Sequence, residues 1–314
     1  MRLTYPQIAW LARQPYATSE VPSATALDVL RSGTARRIAA LHGRIGTSGY
    51  LHLIGVGDPE LRGQCGAERG DYMVSSDLES EVDAIRDYPR LCGARQELLI
   101  EATALDAPVD QSLYMGARAT KPQVMALNRD QLGRARIVVF ATHALTAGLP
   151  SAFREPALVM TPPAVATSQD NGLLSLTDIL DLRLESADWV ILSACNTFDT
   201  KGGGEGFNGL ARAFFHAGAP SILASQWSVD DQATRDLMTR VLAVYAQANL
   251  PRTESSQAGA ALGLHVTSHM SRAESLRQGE LALITAEHSP PYFAHPYAWA
   301  PFVVVGEGGP VVSE

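Results

Sequence analysis

Short continuous apolar runs recur along the chain, each bounded by Gly, Pro, Asp or Asn. Residues 51–60 (LHLIGVGDPE) read as a buried strand running into a tight turn, and 136–142 (RIVVFAT), 156–161 (PALVMT) and 188–194 (DWVILSA) as further strands. Residues 221–225 and 301–305 complete the set, and QELLI at 96–100 reads as one more. Between them the apolar positions repeat at three and four, the spacing of one helix face. This predicts helices over 22–42, where Ser23 can cap and Ala26, Leu27 and Leu30 align, and over 78–88, with Leu78, Val82 and Ile85 as the stripe. Further helices are expected over 121–132, 175–182, 209–218, 230–245 and 271–283. Residues 61–73, the tract KGGGEG at 201–206 and the polar stretch 253–268 read as loops.

Strands without polar alternation are buried on both faces, and strands alternating with helices imply parallel pairing. The expected fold class is therefore α/β, with a central, mostly parallel sheet covered on both sides. No internal repeat or low-complexity linker divides the chain. A length of 314 residues suits one large unit of this kind.

Composition narrows the function classes. A formal charge of −8 leaves no basic stripe to neutralise phosphates, which argues against nucleic acid as a partner. The N-terminal MRLTYPQIAW holds no apolar run of signal-peptide length, and no run approaches the roughly 20 residues of a membrane span. The chain reads as cytoplasmic and without a membrane partner. Its three cysteines, Cys65, Cys92 and Cys195, are too few and odd in number to suggest a disulfide framework, and no zinc-type spacing is present. Residues 55–63 (GVGDPELRG) lack the GxGxxG of a dinucleotide site, and no GxSxG occurs.

Two predicted strand ends carry the chemistry. FATH ends on His143 and WVILSAC ends on Cys195. In open α/β sheets, reacting groups gather at the carboxyl ends of parallel strands. A thiol needs a base or a neighbouring positive charge to be a thiolate at neutral pH, and an imidazole from an adjacent strand end would supply it.

Longer stretches carry a family resemblance. Residues 21–31 (VPSATALDVLR), 55–61 (GVGDPEL), 140–148 (FATHALTAG), 155–163 (EPALVMTPP), 187–197 (ADWVILSACNT), 204–227 (GEGFNGLARAFFHAGAPSILASQW) and 295–306 (HPYAWAPFVVVG) together resemble a CHAT domain. This is a caspase-like domain of bacteria usually found beside tetratricopeptide repeats. The separation of His143 from Cys195 also fits the caspase pattern, with the base about 50 residues upstream of the nucleophile. The resemblance implies a caspase-like three-layer sandwich and a cysteine endopeptidase with Cys195 as nucleophile and His143 as base. It implies no cofactor, a protein substrate, and activation by a signal or a partner such as a repeat protein. Residues 21–308 would form the domain, with 1–20 an N-terminal segment and 309–314 a tail. The family normally has strands and a repeat array upstream. Here 20 residues precede Val21, as in a fragment, a short paralogue or one component of a split system.

The resemblance also nominates the rest of the site. The Gly that commonly follows the histidine is Ala144 here, which still offers a backbone N–H; Ala144 and Cys195 are the oxyanion-hole candidates. Separases carry a W-x-V-x-D run like that from Trp227 to Asp231, whose last Asp favours a basic residue before the scissile bond. Asp231, and after it Asp230 and Glu205, are the substrate-pocket candidates. The bland reading of both aspartates is a helix N-terminus, which suits them equally. The rival function is a non-catalytic adaptor of the same fold. His216 and His295 read as structural or surface residues.

Overall fold

The computed structural model describes residues 17–21, 51–65, 78–145, 155–193, 209–227, 230–249, 270–286 and 289–309. Six strands form one sheet in the order β2 (Leu113–Met115), β1 (Leu51–Gly57), β3 (Ala135–Ala141), β7 (Trp189–Leu192), β8 (Ser221–Ser225) and β9 (Phe302–Gly306). All neighbours run parallel except β8 and β9, which are antiparallel. Glu20 extends the sheet beyond β9 through a parallel bridge to Val305. A second sheet of three short antiparallel strands, β4 (Ala144–Leu145), β5 (Ala157–Val159) and β6 (Leu173–Ser175), leaves the end of β3.

The two faces of the large sheet are sorted residue by residue. Leu53, Ile137, Val139, Ala141, Trp189, Ile191 and Leu223 pack on one side against α2 (Ala94–Ala104), α7 (Asp231–Asn249) and α8 (Arg272–Ile284). Their strand neighbours Ile54, Val138, Phe140, Val190, Leu192 and Ile222 pack on the other side. There they meet α4 (Lys121–Asp130), α5 (Leu176–Leu180) and α6 (Gly209–His216). Alternation of side chains along a strand, with both faces apolar, produces the three layers that the continuous runs predict. The remaining pieces are α1 (Leu78–Arg86), α3 (Val109–Ser112) and α9 (Pro296–Trp299). Ile85 of α1 packs on Val159 and Leu173, tying that helix to the small sheet.

Two expectations are corrected. QELLI is not a strand but the middle of helix α2. A short apolar run cannot by itself separate strand from buried helix, and here Ala94, Glu97, Leu98, Glu101 and Ala102 all face inward at helical spacing. Two inward glutamates hide that stripe in the sequence. Cys65 and Cys92 are also joined, with Cα atoms 5.8 Å apart, so the pair is a disulfide after all. The backbone explains their meeting: Arg62 N–H donates to Arg86 O and Gly63 N–H to Tyr88 O, laying residues 62–65 beside the segment that follows α1. The cysteine count therefore no longer speaks for a reducing compartment. Among the described residues, no helix is long and apolar enough to cross a membrane. The expected helix over 22–42 and the loops 66–73, 201–206 and 253–268 lie outside the described residues.

Candidate active site

The carboxyl ends of β1, β3 and β7 form one edge. Strands β3 and β7 are in register from Ile137 opposite Trp189 to Phe140 opposite Leu192. His143 follows Phe140 by three positions, and in the sequence Cys195 follows Leu192 by the same three. The described part of β7's exit ends at Ser193; Cys195 and Glu205 lie outside it.

His143 is buried, at 3% exposure, between the end of β3 and the start of β4. Its Nε2 lies 2.7 Å from the carbonyl oxygen of Pro89. A carbonyl only accepts, so Nε2 carries the proton and donates it; in the neutral ring the basic lone pair is then on Nδ1. Tyr88 meets the imidazole edge-on, with centroids 5.7 Å apart at 87°. The Pro89 carbonyl thus holds the proton on Nε2, and Tyr88 flanks the ring. Gly57 makes room beside it: a Cβ there would lie 2.3 Å from Ala141 O, so the ends of β1 and β3 close up only around glycine.

Ala144 opens β4 opposite Leu158. Val159 N–H donates to His143 O at 2.9 Å. That bond flanks the Ala144–Leu158 pair and makes it a non-hydrogen-bonded one, so the Ala144 N–H points away from β5.

Both aspartates after Trp227 have structural partners. Asp230 caps its own helix, its Oδ1 accepting from Gln232 N (3.0 Å) and Ala233 N (2.9 Å). Asp231 reaches a different element: its Oδ2 accepts from Gly93 N at 2.6 Å, ahead of α2. The segment 89–93 therefore holds His143 at one end, through Pro89 O, and Asp231 at the other, with disulfide-bonded Cys92 between them.

Three further side chains went unnoticed in the sequence. Glu97 and Glu101, one turn apart on α2, are both buried in the contact with α7. Burial drives both carboxyls far above the usual range. For Glu97, a hydrogen bond with Ser193 pulls back down, nearby Asp231 pushes up and Arg235 pulls down; for Glu101 the charge of Glu97 adds to burial. Ser193 follows β7 and by strand alternation shares the face of Trp189 and Ile191, on which α2 packs. Nothing in the sequence marks Pro89, because its contribution is a carbonyl. A buried acid inside an apolar helix face has no signature either. His216 and His295 stand apart from this edge: His216 ends α6, and His295 Nδ1 accepts from Tyr297 N at the start of α9. Among the described residues, no group of three potential ligands could hold a metal ion.

A sequence profile of the CHAT domain matches residues 3–307. Among solved structures, the Arg-specific cysteine proteinase gingipain R is similar, with 11% identity and a TM-score of 0.45 over 90% of this chain. The chain spans 52% of that protein's length. No curated protein sequence matches.

Proposed function

The chain belongs to the CHAT domain family, and on that premise we propose that it is a cysteine endopeptidase with Cys195 as nucleophile and His143 as its base. The observation that supports the reading is the place of His143, buried at the carboxyl end of β3 with Nε2 donating to Pro89 O, beside the strand β7 that Cys195 follows by three positions in the sequence. The Cys195 thiolate attacks the scissile carbonyl carbon, and the carbonyl electrons move onto oxygen. The N–H groups of Ala144 and Cys195 hold that oxyanion, a service worth about 3–4 kcal/mol per donor. Nδ1, protonated by the thiol, gives its proton to the leaving amine; water, activated by the same nitrogen, then hydrolyses the thioester. The Pro89 carbonyl stabilises the imidazolium in the role a third side chain has in other sites.

Asp231, with Asp230 and Glu205 as lesser contributors, is the proposed source of negative charge for a basic residue before the scissile bond. Incubation with a peptide library tests the proposal: wild-type protein should cleave, and the Cys195→Ala and His143→Ala variants should not. Lack of cleavage together with a Cys195 that no electrophilic peptide labels would make the domain a non-catalytic interaction module instead.

A further inference from the structure

A cavity of about 540 Å³ opens between α8, α9, the edge strand β9 and residues 17–20, a size at which ligand sites are common. Ala273, Leu276, Arg277 and Glu280, spaced as one face of α8, form one wall; Trp299 of α9 with Phe302 and Val304 of β9 form another. Glu280 is 9% exposed, and among the described residues its carboxyl takes no hydrogen bond. Arg277 is the cation that acts on it, but that guanidinium is bonded to Glu274, with Nε 2.7 Å from Oε2. A second carboxylate on the wall, Glu20, accepts from Gln226 Nε2 at 3.1 Å. Two carboxyls thus border the cavity against one engaged guanidinium, a balance that favours a cation.

The strand beside the cavity is open. Strands β8 and β9 bond at alternate positions, with Gln226 N–H donating to Pro301 O and Glu307 N–H to Pro220 O at either end. The register therefore turns the N–H and C=O of Phe302, Val304 and Gly306 away from β8. Glu20 uses part of that edge, donating to Val304 O at 2.8 Å and accepting from Gly306 N–H at 2.7 Å. Ala17, Thr18 and Ser19 line the cavity without bonding to the edge. Val304 N–H and both backbone groups of Phe302 are left without a partner among the described residues.

We propose that this cavity binds an extended segment of a partner protein that carries a Lys or Arg. The main chain of that segment pairs with Phe302 and Val304, continuing the ladder that Glu20 begins, and its cationic head meets Glu280. Strand addition of this kind draws affinity from the main chain and selectivity from the pocket beneath it. The Trp299 ring, whose Nε1–H is spent on Ala294 O, adds an aromatic wall that suits the same head. Strands β7 and β8 separate this edge from β3, and the inference does not rest on the peptidase reading.

The test is calorimetric titration with capped pentapeptides of alternating Val and Thr in which one Lys occupies each position in turn. The protein is the Cys195→Ala variant, so that no peptide is cleaved, at about pH 8.5, above the value of about 8 to which burial raises the Glu280 carboxyl. One Lys peptide should bind, and replacing its Lys by norleucine should weaken it about tenfold or more. N-methylation of the backbone beside that Lys should weaken it by a similar factor, about tenfold. Adding Glu280→Gln should weaken the Lys peptide about tenfold and leave the norleucine peptide within about twofold. If Glu280→Gln does not melt cooperatively, the two ligand-side changes decide on the unaltered cavity. Failure of every Lys peptide to bind would overturn the proposal, as would equal binding of the Lys and norleucine peptides. Binding that survives N-methylation, or that free n-butylamine matches, would remove the strand pairing and overturn it too. Loss of binding on adding Asp231→Asn but not Glu280→Gln would assign the peptide to the candidate substrate pocket instead, and overturn it.

Discussion

The Nε2 of His143 lies 2.7 Å from the carbonyl oxygen of Pro89, a residue 54 positions earlier in the chain. A backbone carbonyl cannot be removed by side-chain mutation, so the ring's tautomer depends on the path of the segment 89–93 and not on the identity of one residue. The consequence for mutagenesis is that His143 itself is the sensitive position. His143→Ala should lower kcat/KM by a factor of about 100 or more, the usual scale for a positioned general base. Alkylation of Cys195 should slow in parallel. Equal alkylation rates with and without His143 would break the pairing.

The segment 89–93 is pinned by the bond between Cys92 and Cys65. The cross-link closes a loop with a sequence separation of 27 residues, and on chain-entropy grounds its removal should cost about 3–4 kcal/mol. Cys92→Ser should lower the melting temperature by several degrees. It should also reduce peptidase turnover, because the same segment carries Pro89 and Gly93. Peptide mapping without reductant provides the direct check: a mapped Cys65–Cys92 peptide is expected, and two free thiols would contradict it.

Buried acids make stability depend on pH in a defined direction. Burial pushes the Glu280 carboxyl from its ordinary 4.5 up to about 8, partly opposed by Arg277, and Glu97 and Glu101 shift the same way. The folded chain therefore holds protons that the unfolded chain releases. The stability these groups contribute is complete below about pH 4.5, falls as pH rises and is gone once pH passes the folded values. The melting temperature should drop between about pH 5 and about pH 8, and Glu280→Gln should flatten that slope. A melting temperature that rises over the same interval would contradict the assignment.

Most of the large sheet is legible in the sequence because β1, β3, β7, β8 and β9 are apolar runs bounded by turn residues, and a strand buried on both faces needs nothing else. The helices α1, α4, α6, α7 and α8 follow from their stripes; in the structure Ser271 caps α8, its side chain accepting from Glu274 N. Strand β2 has only three residues and borrows its order from the parallel ladder with β1, so no local pattern reveals it. Strands β4 and β6, of two and three residues, likewise gain their order from antiparallel pairing with β5. Helix α2 was obscured by Glu97 and Glu101, whose polarity breaks the stripe they belong to. At the site, the place of the histidine was readable from its strand end, whereas Pro89 O and Gly93 N come from a segment that only the folded chain brings there.

Asp230 and Asp231 are separable by experiment. Asp230 caps α7 through two backbone N–H groups, so Asp230→Ala should cost about 1 kcal/mol of stability and change cleavage specificity less than Asp231→Asn does. Asp231→Asn keeps an oxygen for Gly93 N–H but removes the charge. If Asp231 lines the pocket, the substitution should cost about 2–4 kcal/mol in kcat/KM for substrates with Arg or Lys before the scissile bond. Profiling of cleavage sites decides. A preference for Leu or Met that Asp231→Asn leaves unchanged would confine Asp231 to its bond with Gly93.

The central claim is that Cys195 is a nucleophile activated by His143. Its most direct measurement is covalent labelling by a peptide bearing an electrophile at the scissile position, followed by mass spectrometry of the intact chain. The wild type should carry one adduct per chain, located on Cys195, with labelling slowed about 100-fold or more in His143→Ala and absent in Cys195→Ala. An adduct that persists in Cys195→Ala, or a wild-type protein that cleaves peptides undiminished by that substitution, would contradict it.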